Sequence, residues 1–128
     1  MSALFRLFVY GTLLPGESNA ALLHGARRIG PALTVAAYDL IDCGVYPAMR
    51  AGGRTNVRGE LFLVDEGRLA RLDEYEGHPT LFERQTIALA GGGSAVAYLV
   101  PAGTRRMPGR IIPKGDWRQH RQSHQESR

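Results

Sequence analysis

Apolar positions fall into short runs broken by glycine and proline, and the spacing within the runs predicts more strands than helices. Leu4 to Tyr10 is apolar and aromatic and reads as a buried strand, stopped by Gly11-Thr12-Leu13-Leu14-Pro15-Gly16. Glu17 to His24 suits a short helix ahead of a Gly25 stop. Residues 31–41 and 56–64 are β-rich, and in the second Val57, Gly59, Leu61 and Leu63 alternate with Arg58, Glu60 and Phe62. Turns are expected at 42–47 and 51–54, where Gly44, Pro47, Gly52 and Gly53 stand. Asp65 to Tyr75 is the clearest helix, with Asp65 as N-cap and Gly77 as the left-handed residue beyond its end. Leu81–Leu89 and Ser94–Val100, joined through Gly91-Gly92-Gly93, make the best hairpin. Strands and helices do not alternate regularly, so the class is α+β around a mainly antiparallel or mixed sheet that could close into a barrel.

Composition narrows this picture without changing it. A chain of 128 residues, 44% apolar and 22% charged, suits one domain with a real core. No apolar stretch has transmembrane length, and the N-terminus lacks the basic and apolar regions of a secretory signal, so the expected location is cytoplasmic and no membrane partner is expected. Cys43 is the only cysteine, which excludes internal disulfides and cysteine-rich metal sites. The formal charge of +4 is unevenly spread: residues 105–128 carry +5 and residues 1–104 carry −1. A basic end of this kind could meet nucleic acid. The preferred reading is a domain over residues 1–118 followed by a basic, solvated and disordered tail at 119–128.

The residue most suggestive of chemistry is Glu76. Leu69 and Leu72 mark the inward face of the 65–75 helix, and Glu76, four residues beyond Leu72, continues that apolar stripe. An inward carboxylate is costly unless paired or functional. Burial, the negative end of the helix, and Asp73 and Glu74 all favour its protonated form and a raised pKa. The competing reading is a frayed helix end whose side chain reaches water or pairs with Arg84. A second feature is the glycine turn after the first strand, Tyr10-Gly11-Thr12-Leu13, whose successive amides could form a small anion nest. It matches neither the dinucleotide fingerprint nor the phosphate-loop pattern.

These features recur in a particular order. Tyr10-Gly11-Thr12-Leu13 is followed by Gly44-Val45-Tyr46-Pro47-Ala48, then Val57-Arg58-Gly59-Glu60-Leu61-Phe62, then Leu72-Asp73-Glu74-Tyr75-Glu76-Gly77 with Phe82-Glu83-Arg84 behind it, and last Gly115-Asp116-Trp117. The order resembles the γ-glutamylcyclotransferase-like family, in particular its γ-glutamylamine cyclotransferase branch, over nearly the whole chain to about Trp117. The resemblance implies a small mixed β-barrel with flanking short helices and a pocket at one end. It implies Glu76 as catalytic acid/base, and a loop of Tyr10, Gly11, Thr12 and Leu13 that binds the substrate's α-carboxylate. Tyr46, Pro47 and Phe82 are the further candidates for the substrate wall, although the plain reading of Tyr46-Pro47 is a turn with a packed aromatic. Phe82 stands where the family often has tyrosine, so a hydroxyl is missing there. The implied reaction converts a γ-glutamylamine or γ-glutamyl amino acid to 5-oxoproline, with no metal and no cofactor.

Other residues have simpler readings. Arg84, beside an acidic helix end, is expected in a structural ion pair, and Trp117 is expected to pack over the core. Cys43 and His78 could suggest thiol chemistry, but no third group orients them. The alternative functional classes are a non-catalytic module that binds γ-glutamyl or amino-acid ligands in the same pocket, and a nucleic-acid accessory protein using the basic tail. The leaving amine and the oligomeric state are not legible in the sequence.

Overall fold

A computed structural model describes residues 3–104 and 107–126, with side chains as far as Ser123. Arg105, Arg106 and Arg128 of the basic end lie outside the described residues. The chain runs β1 (Leu4–Val9), a 3₁₀ turn (Ala20–Leu23), β2 (Arg27–Leu33), β3 (Tyr38–Asp42), β4 (Pro47–Ala51), β5 (Arg58–Asp65), α1 (Glu66–Glu76), β6 (Glu83–Ala88), β7 (Ser94–Leu99), β8 (Arg110–Ile111) and α2 (Trp117–Glu126).

The expected α+β class holds, but the sheets do not close into a barrel. A five-stranded sheet in the order β2-β5-β1-β7-β6 is accompanied by a three-stranded sheet in the order β4-β3-β8. The first is mixed: β1 runs antiparallel to β5 and parallel to β7. Its edge strands approach at the isolated bridge Thr34↔Leu89, beyond the ends of β2 and β6. One bridge is not a ladder, so the edges stay open.

Strand β1 is central and from Leu7 to Val9 is covered on both faces, which explains why these three positions are all apolar rather than alternating. Phe8 packs with Leu61, Ala97 and Leu99 against Tyr38, Leu40, Met49 and Trp117 on the small-sheet side. Leu7 and Val9 pack with Phe62, Val64 and Tyr98 against Leu69 and Leu72 of α1 on the other. The same geometry makes both Leu61 and Phe62 of β5 buried, so its period-two pattern separates two cores rather than core from solvent. Gly59 is required where β5 crosses β1, because a Cβ there would lie 2.1 Å from the Val9 carbonyl oxygen.

Helix α1 begins and ends as its sequence predicts. The Asp65 carboxylate accepts from the Arg68 amide at 2.8 Å, and Gly77 takes a left-handed conformation with φ 67°. The expected helix at 17–24 contracts to the 3₁₀ turn, and the 31–41 segment divides into parts of β2 and β3. The segment read as a tail carries α2 as far as the described residues go. Trp117, 1% exposed, anchors α2 in the core, Asp116 accepts from the Gln119 amide at 3.1 Å, and Arg121 holds Glu17 at 2.7 Å. Polar composition alone suggested a tail; one buried indole and a cap make it a helix.

Candidate active site

A cavity of about 640 Å³ opens where the loop after β1, the β3–β4 turn and the end of α1 converge. The eight residues expected at the catalytic and substrate site line it: Tyr10, Gly11, Thr12, Leu13, Tyr46, Pro47, Glu76 and Phe82. Three separate devices bring them together.

The loop after β1 is folded by its own backbone. The Leu14 amide donates to the Gly11 carbonyl at 3.0 Å and the Asn19 amide to the Thr12 carbonyl at 2.8 Å. The amides of Gly11, Thr12 and Leu13 donate to no acceptor among the described residues, leaving three consecutive N–H groups for something else. Gly11 is fixed by close approach: a Cβ there would lie 2.6 Å from Pro47 Cγ. The ring of Pro47 thus rests on the loop backbone and sets the spacing of two walls. Tyr10 contributes its ring but not its hydroxyl, which donates to the Tyr98 carbonyl at 2.6 Å and accepts from the Met49 amide at 3.2 Å.

The second wall is the β3–β4 turn, closed by the Cys43 amide on the Tyr46 carbonyl at 3.0 Å and the Gly44 amide on the Asp42 carboxylate at 2.8 Å. Val45 projects from its tip, and Tyr46 meets Phe82 edge to face with ring centroids 6.1 Å apart. The third is the α1 terminus. Glu76 is half-buried at the last turn, and its carboxylate makes no hydrogen bond or ion pair with the described residues. Burial pushes its pKa up from 4.5 to about 7. The acidic neighbours invoked from the sequence do not contribute: burial alone raises it, and Asp73 is engaged elsewhere. It forms an ion pair with Arg84 at 2.9 Å and accepts from the Tyr98 hydroxyl at 2.6 Å. Arg84 is therefore a structural partner, and it does not neutralise Glu76.

Cys43 and His78 are not assembled with each other. The thiol sits against the Ile41 and Pro108 carbonyls, each at 3.8 Å, while His78 Nδ1 accepts from the Arg84 amide at 3.0 Å. Among the described residues no group of three His, Cys, Asp or Glu converges as a metal site would require. The sequence reading missed Ser18, Asn19, Tyr75, Leu81, Tyr98 and Met107, which also line the cavity. Tyr75 had a signal, being adjacent to Glu76 at the end of α1. Met107 had none, since only the return of the chain after β7 brings it near.

Fold and site together describe a small α+β protein in which one cavity is lined by a half-buried carboxylate and by loop amides that have no acceptor among the described residues. The chain belongs to the gamma-glutamyl cyclotransferase, AIG2-like family, whose model matches residues 7–119. It is 41% identical over 111 residues to a Vibrio cholerae protein named "Putative gamma-glutamylcyclotransferase", covering 87% of this chain and 93% of that one. It is 36% identical over 93 residues to the Bos taurus gamma-glutamylaminecyclotransferase, covering 66% of this chain and 55% of the bovine protein. Among solved structures, an AIG2-like protein from Mus musculus matches with a TM-score of 0.67 and 25% identity, over 84% of this chain and 86% of that one. Among the described residues no helix is long and apolar enough to cross a membrane.

Proposed function

We propose that the protein closes the γ-glutamyl group of a small-molecule amide to 5-oxoproline and releases the amine, with Glu76 as acid/base. The observation that carries this reading is the pairing, in one cavity, of an unpaired carboxylate with a pKa of about 7 and the acceptor-free amides of residues 11–13. The amides suit the substrate's α-carboxylate, and holding that group fixes the adjacent α-amine. Nucleophile and electrophile share one chain, so the protein's main task is to hold the folded conformer.

The steps balance as follows. The α-ammonium first loses a proton to water. The neutral amine attacks the γ-carbonyl carbon, and Glu76 takes a second proton from that nitrogen as the new C–N bond forms. The same proton passes to the leaving nitrogen as the old C–N bond breaks, and the freed amine takes up one more from water. A base near pH 7 can both accept and return the proton, which an ordinary surface glutamate does less well.

Glu76→Gln preserves shape and removes the base. Turnover of γ-glutamyl amides, read as 5-oxoproline, is expected to fall by about 10²–10⁴-fold. Ligand binding by calorimetry should survive. Near wild-type turnover in this variant would end the proposal.

A further inference from the structure

A second concavity lies where the start of β5 meets the turn that leads into α2, and it shares no lining residue with the Glu76 cavity. Its volume is about 700 Å³, and three cations line it: Arg54, Arg58 and Lys114. The backbone beneath them is fixed. The Arg58 amide donates to the Gly115 carbonyl at 2.8 Å, the Thr55 amide to the Tyr38 carbonyl at 2.7 Å, and the Asn56 side-chain amide to the Thr34 carbonyl at 2.9 Å. The three cationic side chains are exposed, and none makes a hydrogen bond or ion pair with the described residues. Asp39 accepts from the Arg54 amide at 3.4 Å, yet its ion pair is with Arg50 at 3.7 Å. Asp116 is the one acid in the lining, and its Oδ1 accepts from the Gln119 amide at 3.1 Å. Of the acidic residues in the chain, only Glu126 has a side chain outside those described, and it stands at the far end of α2.

Like charges gathered in one concavity repel, and a bound anion relieves the repulsion. Three cations against one carboxylate leave the lining at +2, which matches a phosphate monoester at about −1.5 to −2 near neutral pH. Arg54 and Arg58 offer forked donors to phosphate oxygens, and Lys114 adds a point charge. Beside them, Asn56 keeps its side-chain carbonyl oxygen and Gln119 its carboxamide for hydroxyl groups. The apolar members, Leu33 and Pro113, are aliphatic, and among the described residues no aromatic ring lines the cavity to stack a base. We infer that this is a second ligand site, which takes the phosphate of a small phosphorylated sugar or polyol. The inference stands apart from the cyclotransferase reading, because the two cavities have no residue in common.

The test titrates the full chain with glucose 6-phosphate, inorganic phosphate, glucose, adenosine monophosphate and a short DNA duplex, in about 0.15 M salt. Binding is read by calorimetry and by the rise in Tm that a ligand of the folded state produces. Glucose 6-phosphate should bind with a Kd below about 1 mM, at least about tenfold tighter than inorganic phosphate or adenosine monophosphate. Glucose should bind at least about a hundredfold more weakly. Arg58→Gln and Lys114→Gln alter exposed side chains without partners among the described residues, so each should keep the wild-type Tm. Each should weaken glucose 6-phosphate about tenfold to hundredfold, while Arg71→Gln, exposed on α1, should leave it unchanged. Inorganic phosphate binding as tightly as glucose 6-phosphate would mean an adventitious ion only and overturns the inference. Tighter binding of adenosine monophosphate overturns it, as does a duplex that binds where glucose 6-phosphate does not. An equal loss in Arg71→Gln would reduce the effect to overall charge, and affinity unchanged in both cavity variants would move the phosphate elsewhere. Either result overturns the inference, and so does the absence of both heat and Tm shift with every compound.

Discussion

Glu76 shows how much one side chain's surroundings decide. Its carboxyl is harder to ionise in the folded protein than in the unfolded chain, with a pKa of about 7 against 4.5. The stability its protonated form lends is complete below about pH 4.5 and is lost as the pH rises through 7. Glu76→Gln should therefore match the wild type in denaturant melts at pH 4 and exceed it by about 1–3 kcal/mol at pH 8. An equal gap at both pH values would mean that burial does not act on this carboxylate. Gly11 presents the opposite case, a residue valued for what it lacks. In Gly11→Ala the new methyl meets the Pro47 ring. We expect a loss of about 1–3 kcal/mol in stability and a fall in kcat/KM of about 10–100-fold from the misplaced amides. Comparable activity at a lower Tm would separate the two effects and remove the loop from the site. Glu76 was legible because helix periodicity put it on the Leu69–Leu72 stripe. An ion pair of Arg84 with the acidic helix end was legible too, but not that Asp73 is the acid and Tyr98 its third member, because these lie on α1, β6 and β7.

At the scale of elements, α2 is a clasp. Arg118 donates to the Pro15 carbonyl and pairs with Glu60 at 3.3 Å, and Arg121 pairs with Glu17 at 2.7 Å, so the helix holds the loop after β1. His120 meets Asp42 at 2.7 Å at the root of the β3–β4 turn. One helix thus braces both walls of the cavity from outside. Glu17, with its side chain 9% exposed, would be left buried and unpaired without Arg121. Ending the chain after Arg118 should cost about 2–4 kcal/mol and raise KM for γ-glutamyl amides more than it lowers kcat. A melting curve within error of the full chain would show α2 to be an ornament. Arg121, assigned on composition to a solvated tail, is therefore tied into the body of the fold.

At the scale of the molecule, the site lies at a junction of open sheets, and the frame can be perturbed apart from it. Thr34 is fully buried; its hydroxyl accepts from the Val57 amide at 2.9 Å and donates to the Val35 carbonyl at 2.8 Å, beside the bridge to Leu89. Thr34→Val would strand the Val57 amide and should cost about 1–3 kcal/mol, with kcat changed by no more than roughly twofold because Thr34 is remote from the cavity lining. A large loss of kcat at unchanged stability would contradict that separation. The sequence by itself determined β1, β5, the β6–β7 hairpin and the α1 helix with both its ends, and it singled out Glu76 and the Tyr10–Leu13 loop, because these rest on local periodicity, capping and turn chemistry. Only the tertiary structure decided that the sheets stay open, that α2 is a brace, and that Val45, Leu81 and Met107 join Glu76 around one cavity. Those outcomes depend on contacts between residues far apart in the chain, whose pairing no local pattern encodes.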